Sequence, residues 1–186
     1  YAYMATFTAP EARLLVVDDN LTNLKVFVNL LKCTKVNVDV AESGKECLAL
    51  IAQNEYDLIF LDHMMPEMDG IETLHRMKDM EENKCERTPI IALTANAISG
   101  AKEMYLKEGF DAFLPKPINP DKLEQMILRL LPRYLLKFDA EEDGAKVDIF
   151  EKESITEEEP EELPMIDGID WSYGRMHLPD KSLLMD

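Results

Sequence analysis

No apolar run in the 186 residues approaches the roughly 18 that would suggest a membrane-spanning helix. Nor does the N-terminus carry a basic region followed by an apolar one, so no secretory leader is expected. Cysteine is scarce, and Cys33, Cys47 and Cys85 have neither metal-ligand nor disulfide-framework spacing. Reduced thiols in a cytoplasmic protein are the expectation, with Cys47 a core residue on an apolar helix face. Basic residues are also in short supply, 20 Lys and Arg against 37 Asp and Glu, for a net charge of −17. Direct nucleic-acid binding normally needs a basic face to neutralise phosphates, and is therefore disfavoured. No membrane contact is expected of these residues.

The acidity is uneven. Residues 139–163 hold 12 acids against Lys146 and Lys152, a net of −10, whereas residues 1–138 hold 21 acids and 16 bases, a net of −5. The length suits one ordinary domain with a real core plus an appendage. The chain opens on Tyr1 and stops at Asp186 just after Leu183-Leu184-Met185, so a piece of a longer protein is expected.

What is present is organised around Asp57-Leu58-Ile59-Phe60-Leu61-Asp62, followed by a loop turning on Pro66 and Gly70. A short apolar run bounded by turn residues suits a fully buried strand of a parallel sheet. Such sheets carry their ligand chemistry at the carboxyl ends of the strands. A carboxylate there is costly to bury alone, so Asp62 needs a cation or a partner.

Taken in order, residues 1–11 show no period and read as an incoming linker. Leu14-Leu15-Val16-Val17 is a second buried-type strand, ending on Asp18 and Asp19. Asn20 can cap the helix that follows, whose expected apolar face is Leu21, Leu24, Val28 and Leu31. Val36 to Val40 alternates as a strand nearer a sheet edge does. Ser43-Gly44-Lys45-Glu46 fits a capping box, opening a helix with Cys47, Leu48, Leu50 and Ile51 inside. Asp69 and Glu72 open a helix carrying Ile71, Leu74 and Met77. Pro89-Ile90-Ile91-Ala92-Leu93-Thr94 is a fourth strand, ending in a hydroxyl. A weaker helical pattern from Ala97 to Glu108 (Ile98, Ala101, Met104, Tyr105) closes at Gly109. Phe110 to Leu114 is a fifth strand, followed by Pro115-Lys116-Pro117. Asn119 and Pro120 start a last helix with Leu123, Met126, Ile127, Leu130 and Leu131 as its stripe.

Five strands alternating with five helices argue for an α/β fold with a doubly wound parallel sheet and right-handed crossovers. The natural strand order is 2-1-3-4-5, with its crevice between strands 1 and 3. That order brings Asp18, Asp19 and Asp62 side by side, where they repel one another unless a cation joins them. Mg²⁺ fits such oxygen donors. Thr94 and Lys116 should border the same crevice, offering a donor and a counter-charge for phosphoryl oxygens. Asp62 could then act as the nucleophile, since carboxylates form aspartyl-phosphates.

Val17-Asp18-Asp19-Asn20, Leu61-Asp62-His63-Met64-Met65-Pro66-Glu67-Met68-Asp69-Gly70, Ala92-Leu93-Thr94-Ala95 and Leu114-Pro115-Lys116-Pro117 resemble the four signature blocks of a response-regulator receiver domain, in that family's order and spacing. The resemblance covers about residues 12–132 and sets the domain at 12–135, with the flavodoxin-like receiver fold. It implies that Asp62 accepts a phosphoryl group from a phosphohistidine on a histidine kinase or histidine phosphotransfer domain, in cis or in trans. It further implies Mg²⁺ held by Asp18, Asp19, Asp62 and the backbone carbonyl of Met64, and phosphoryl oxygens bound by Thr94 and Lys116. Such a domain phosphorylates and dephosphorylates itself at that aspartate. Thr94 and Phe113 are implied as the switch residues, which reshape the face of the fourth helix, fifth strand and fifth helix. That face is also the implied homodimer surface. The switch residue is often Tyr in the family, and Phe113 lacks the hydroxyl. The Lys116-Pro117 bond is implied to be cis. Met64, two residues after Asp62, is placed to hinder attacking water. His63 is expected to point away as a surface side chain, and Met64, Met65 and Met68 to pack around the loop.

Residues 136–162 read as an acidic, solvated linker, with Val147 to Phe150 apolar enough to touch the domain. From Leu163, the segment Leu163-Pro164-Met165-Ile166-Asp167-Gly168-Ile169-Asp170-Trp171 is similar to the opening of a histidine phosphotransfer domain, so residues 163–186 are expected to be its incomplete start. His177 does not fit the phosphotransfer position. The combination resembles part of a hybrid sensor histidine kinase, with a membrane-anchored parent and this domain on its cytoplasmic side. Two alternatives stand beside it. One is a free-standing response regulator with another output. The other, a magnesium-dependent aspartyl-phosphate phosphohydrolase, would need a second Asp where Met64 stands.

Overall fold

The computed structural model describes residues 5–95 and 100–138, all within one compact unit of the chain. Five strands form it: β1 (Arg13–Val17), β2 (Asn37–Ala41), β3 (Leu58–Asp62), β4 (Ile90–Thr94) and β5 (Ala112–Pro115). They make one parallel sheet in the order β2-β1-β3-β4-β5, as expected from the alternation of strands and helices. Between them run α1 (Leu21–Leu31), α2 (Gly44–Gln53), α3 (Gly70–Asp79) and α4 (Ala101–Glu108), with α5 (Pro120–Leu130) last.

Side chains alternate across each strand, so β1 sends Leu14 and Val16 to one face and Leu15 and Val17 to the other. The first face packs on α1 and α5 through Leu24, Phe27, Leu123 and Ile127. The second packs on α2, α3 and α4 through Cys47, Ile51, Leu74, Met77 and Tyr105. All five residues of β3 and of β4 are buried, which is why both read as unbroken apolar runs. Edge strand β2 is mostly exposed or half-buried and alternates instead.

Caps set the helix starts. The Asn20 side chain accepts from the backbone N–H groups of Thr22 and Asn23, Asp69 from Glu72 and Asn119 from Lys122. Ser43 accepts from Glu46 N–H, but the Glu46 carboxylate reaches Glu42 N–H at 2.7 Å, so the reciprocal half of the expected box lands one residue early. Helix α3 starts under the site because Gly70 leaves room. A Cβ there would lie 2.9 Å from His63 Cα and 3.0 Å from the Asp62 carbonyl carbon, and closer still to the Asp62 oxygen.

Several expectations are corrected. The buried stripe of α1 is Leu24, Phe27 and Leu31, while Leu21 and Val28 are 52% and 38% exposed. Phe27 meets Phe60 with ring centroids 4.8 Å apart, which turns the helix away from Val28. Strand β5 starts at Ala112, and Phe110 ahead of it is already buried in the core. Within the described residues α4 starts at Ala101; Ala97 and Ile98 lie outside them.

The stretch read as an incoming linker is packed from Phe7 onward. Phe7, Ala9 and Ala12 are buried in the α1/α5 core. Thr8 and Lys137 exchange backbone hydrogen bonds of 2.7 Å, and both the N–H and hydroxyl of Thr6 donate to the Glu124 carboxylate on α5. The expectations for residues 139–186, including the acidic linker, Val147 to Phe150 and His177, lie outside the described residues.

Candidate functional site

Three carboxylates from two strand ends meet at the crevice between β1 and β3. Asp18 and Asp19 follow β1 and Asp62 ends β3. One oxygen from each of the three lies within 4.8 Å of the others. Asp18 and Asp62 are buried and Asp19 is exposed. Lys116, following β5, reaches both buried carboxylates: its Nζ stands 2.7 Å from Asp18 Oδ2 and 3.0 Å from Asp62 Oδ2. Asp18 also accepts from Asn20 N–H at 2.9 Å and from the Asn23 amide at 3.1 and 3.2 Å. The cap of α1 is Asn20, so Asp18 is left to the crevice.

Burial pushes the Asp62 carboxyl above the ordinary carboxylate range. The ammonium of Lys116 opposes this, and the nearby charge of Asp18 adds to it. Burial likewise works against the charged form of Lys116, but hydrogen bonds to Asp18 and Asp62 outweigh it and raise its pKa. The cluster is thus two buried acids bridged by one cation, with an exposed third acid at the rim. Three carboxylate oxygens within reach of a common point are the hard donor set that suits a divalent cation such as Mg²⁺.

Thr94 ends β4 and is buried, and its carbonyl accepts from Lys116 N–H at 2.7 Å. The Lys116-Pro117 peptide bond is cis, as the resemblance implied. Phe113 is half-buried on β5, its ring stacked on that of Tyr105 with centroids 6.1 Å apart and planes inclined by 20°. Met64 is 69% exposed beside Thr94 and Ala95, whereas Met65 and Met68 are buried under the loop.

His63 does not point away into solvent. Its Nδ1 lies 2.8 Å from the Tyr105 hydroxyl, and the two rings meet edge to face. Two partners were missed in the sequence: Asn23, which could have been noticed as a second polar residue in the first turn of α1, and Tyr105, assigned to the helix face without a polar role.

The fold and the site define a doubly wound α/β protein with an acidic cluster and a lysine at its switch-point crevice. Residues 14–128 match the model of the response regulator receiver domain, which is more than half of the chain. The chain belongs to that family and is a receiver domain of two-component signal transduction. It is 37% identical over 121 residues to the signal transduction histidine-protein kinase BarA of Escherichia coli K12, covering 63% of this chain but 13% of that protein. Among solved structures it resembles the magnesium-bound receiver domain of the sensor histidine kinase PA1611 from Pseudomonas aeruginosa PAO1, with 31% identity and a TM-score of 0.57. That match covers 64% of this chain and 96% of the other. It also resembles the complex of the Saccharomyces cerevisiae phosphotransfer protein Ypd1 with the receiver domain of Ssk1, at 27% identity and a TM-score of 0.60, covering 66% and 90%. No helix among the described residues is long and apolar enough to cross a membrane.

Proposed function

We propose that Asp62 is the phosphoacceptor, taking a phosphoryl group from a phosphohistidine on a histidine kinase or histidine phosphotransfer domain. The observation that carries this reading is Lys116 Nζ bridging Asp18 and Asp62 at the crevice. A buried carboxylate with an adjacent cation can attack an electron-poor phosphorus while the cation takes up charge on the equatorial oxygens. Asp18, Asp19, Asp62 and the Met64 carbonyl would hold Mg²⁺, which when bound supplies further charge neutralisation to the transferring group. Thr94 and Lys116 serve the phosphoryl oxygens.

The Asp62 oxygen forms the new P–O bond as the bond to the donor nitrogen breaks, and the imidazole leaves with that electron pair. Added charge at Asp62 then biases Thr94 and Phe113 as a two-state element, and the α4-β5-α5 face carries the change, either to a partner or to a second copy. The resemblance to the histidine kinase BarA supports a place within a larger sensor kinase. We read it as a hybrid one whose receiver faces the cytoplasm, with the linker starting only after Lys137, which still pairs with Thr8, and running to residue 162, and with 163–186 as the start of a phosphotransfer domain. The phosphohydrolase alternative is disfavoured, because Met64 stands where its second acid is required.

The test is incubation with Mg²⁺ and a small phosphodonor such as acetyl phosphate. An acid-stable, base-labile adduct in the wild type that is absent in Asp62→Asn is expected. An adduct surviving that substitution overturns the assignment.

A further inference from the structure

Phe113 has no hydroxyl, so no hydrogen bond of its own holds the ring in either position; packing alone positions it. The surface it packs on is Tyr105. That ring is 2% exposed, stacks on Phe113, and meets Phe110 edge to face at 5.6 Å between centroids. A buried tyrosine needs a partner for its hydroxyl, and this one has His63 Nδ1 at 2.8 Å.

His63 is itself held firmly. Its N–H donates to Leu93 O on β4 at 2.9 Å, and its carbonyl accepts from Gly70 N–H at 2.8 Å, so its backbone is fixed between β4 and the start of α3. It also follows Asp62 directly. A hydrogen bond that a tyrosine at position 113 would have made to fix the switch is here made one ring further back, by the residue next to the site.

We propose that His63 is a positioning residue for the switch: through its hydrogen bond to Tyr105 it fixes the ring against which Phe113 stacks, and so sets how far Phe113 turns when Asp62 is loaded. This rests on the reading of Asp62 as phosphoacceptor and adds a coupling specific to this chain. Three linked contacts, imidazole to hydroxyl, ring to ring, and ring to switch, carry displacement from the end of β3 to β5 without passing through Thr94. Tyr105 sits on α4, so the same tether also holds that helix against the β3 end.

The test uses the full 186-residue chain labelled with fluorophenylalanine, with the Phe113 resonance assigned by its loss in Phe113→Leu. Beryllofluoride with Mg²⁺ serves as the phosphoryl mimic, its own bound fluorine signal reporting occupancy. In the wild type the mimic binds and moves the Phe113 resonance. In His63→Leu and in Tyr105→Phe it still binds, but the unloaded Phe113 resonance already lies toward the loaded position and the induced shift is about twofold smaller. The double variant behaves like either single one, since both break the same bond. His63→Asn, which keeps a polar atom near the place of Nδ1, restores much of the wild-type shift; a merely space-filling role for His63 would leave Asn no better than Leu. Wild-type resonance positions in both single variants, with the mimic bound, overturn the positioning role and leave the phosphoacceptor reading intact. Failure of the wild type to take up the mimic, or uptake that persists in Asp62→Asn, overturns the reading beneath it.

Discussion

Replacing Gly70 by alanine tests whether the site and the start of α3 are built as one unit. The added methyl has no free volume: it meets His63 Cα and the Asp62 carbonyl group, and these are backbone atoms that no rotamer change can move aside. Overpacking of this kind costs about 1–3 kcal/mol, and the absence of a yielding side chain puts the cost near the top of that range. Alanine in a helix returns roughly 0.5 kcal/mol at such a terminal position, at the low end of its usual advantage over glycine. The net expected loss is about 2 kcal/mol. For a domain of this size that lowers Tm by roughly 8 °C. Urea denaturation should show a lower midpoint with an unchanged slope. Because the displaced carbonyl belongs to Asp62, adduct formation with a small phosphodonor should slow in parallel. A Gly70→Ala protein as stable as the wild type would refute the close-packing argument. One that is destabilised but phosphorylates at the wild-type rate would refute the link between the α3 start and the site.

Three further outcomes are expected. The folded pKa of Asp62 is raised, so the folded domain holds that proton more tightly than the unfolded chain; the site's stability is fullest below the unfolded pKa of about 3.9 and is lost as pH rises through the folded value. Asp62→Asn should therefore raise Tm at neutral pH in chelator and change it little near pH 3, and a lower Tm at neutral pH would contradict the sign. Met64→Asn should shorten the phosphoryl half-life by admitting water beside Asp62; an unchanged or longer half-life sinks the shielding role. Phe7→Ala should cost about 3–4 kcal/mol by chemical denaturation, as for other buried phenylalanines, whereas a true linker residue would cost almost nothing.

Legibility in the sequence followed the range of the interaction. Strands β3 and β4 could be read directly because both of their faces are buried, and the turn residues that bound them are local signals. The order of the sheet followed from the alternation of elements, and it in turn predicted the meeting of Asp18, Asp19 and Asp62. The face of α1 was misjudged because Leu21, Leu24, Phe27, Val28 and Leu31 offer two overlapping apolar stripes. Only the ring of Phe60 across the interface decides between them. Contacts between distant residues left no local trace. Thr6 and Glu124 are 118 residues apart, and nothing periodic around Phe7 announces a strap across α5. His63 and Tyr105 are 42 apart, each unremarkable in its own element, and they become a pair only when α4 is laid beside the end of β3.

The most direct test of the central claim is phosphoryl transfer from protein to protein. A histidine phosphotransfer protein charged with radiolabelled phosphate should be mixed with this chain in Mg²⁺, in chelator, and as Asp62→Asn. Label should pass to the wild type in Mg²⁺ alone, with the donor losing what the receiver gains. Label on the Asp62→Asn chain would contradict the account.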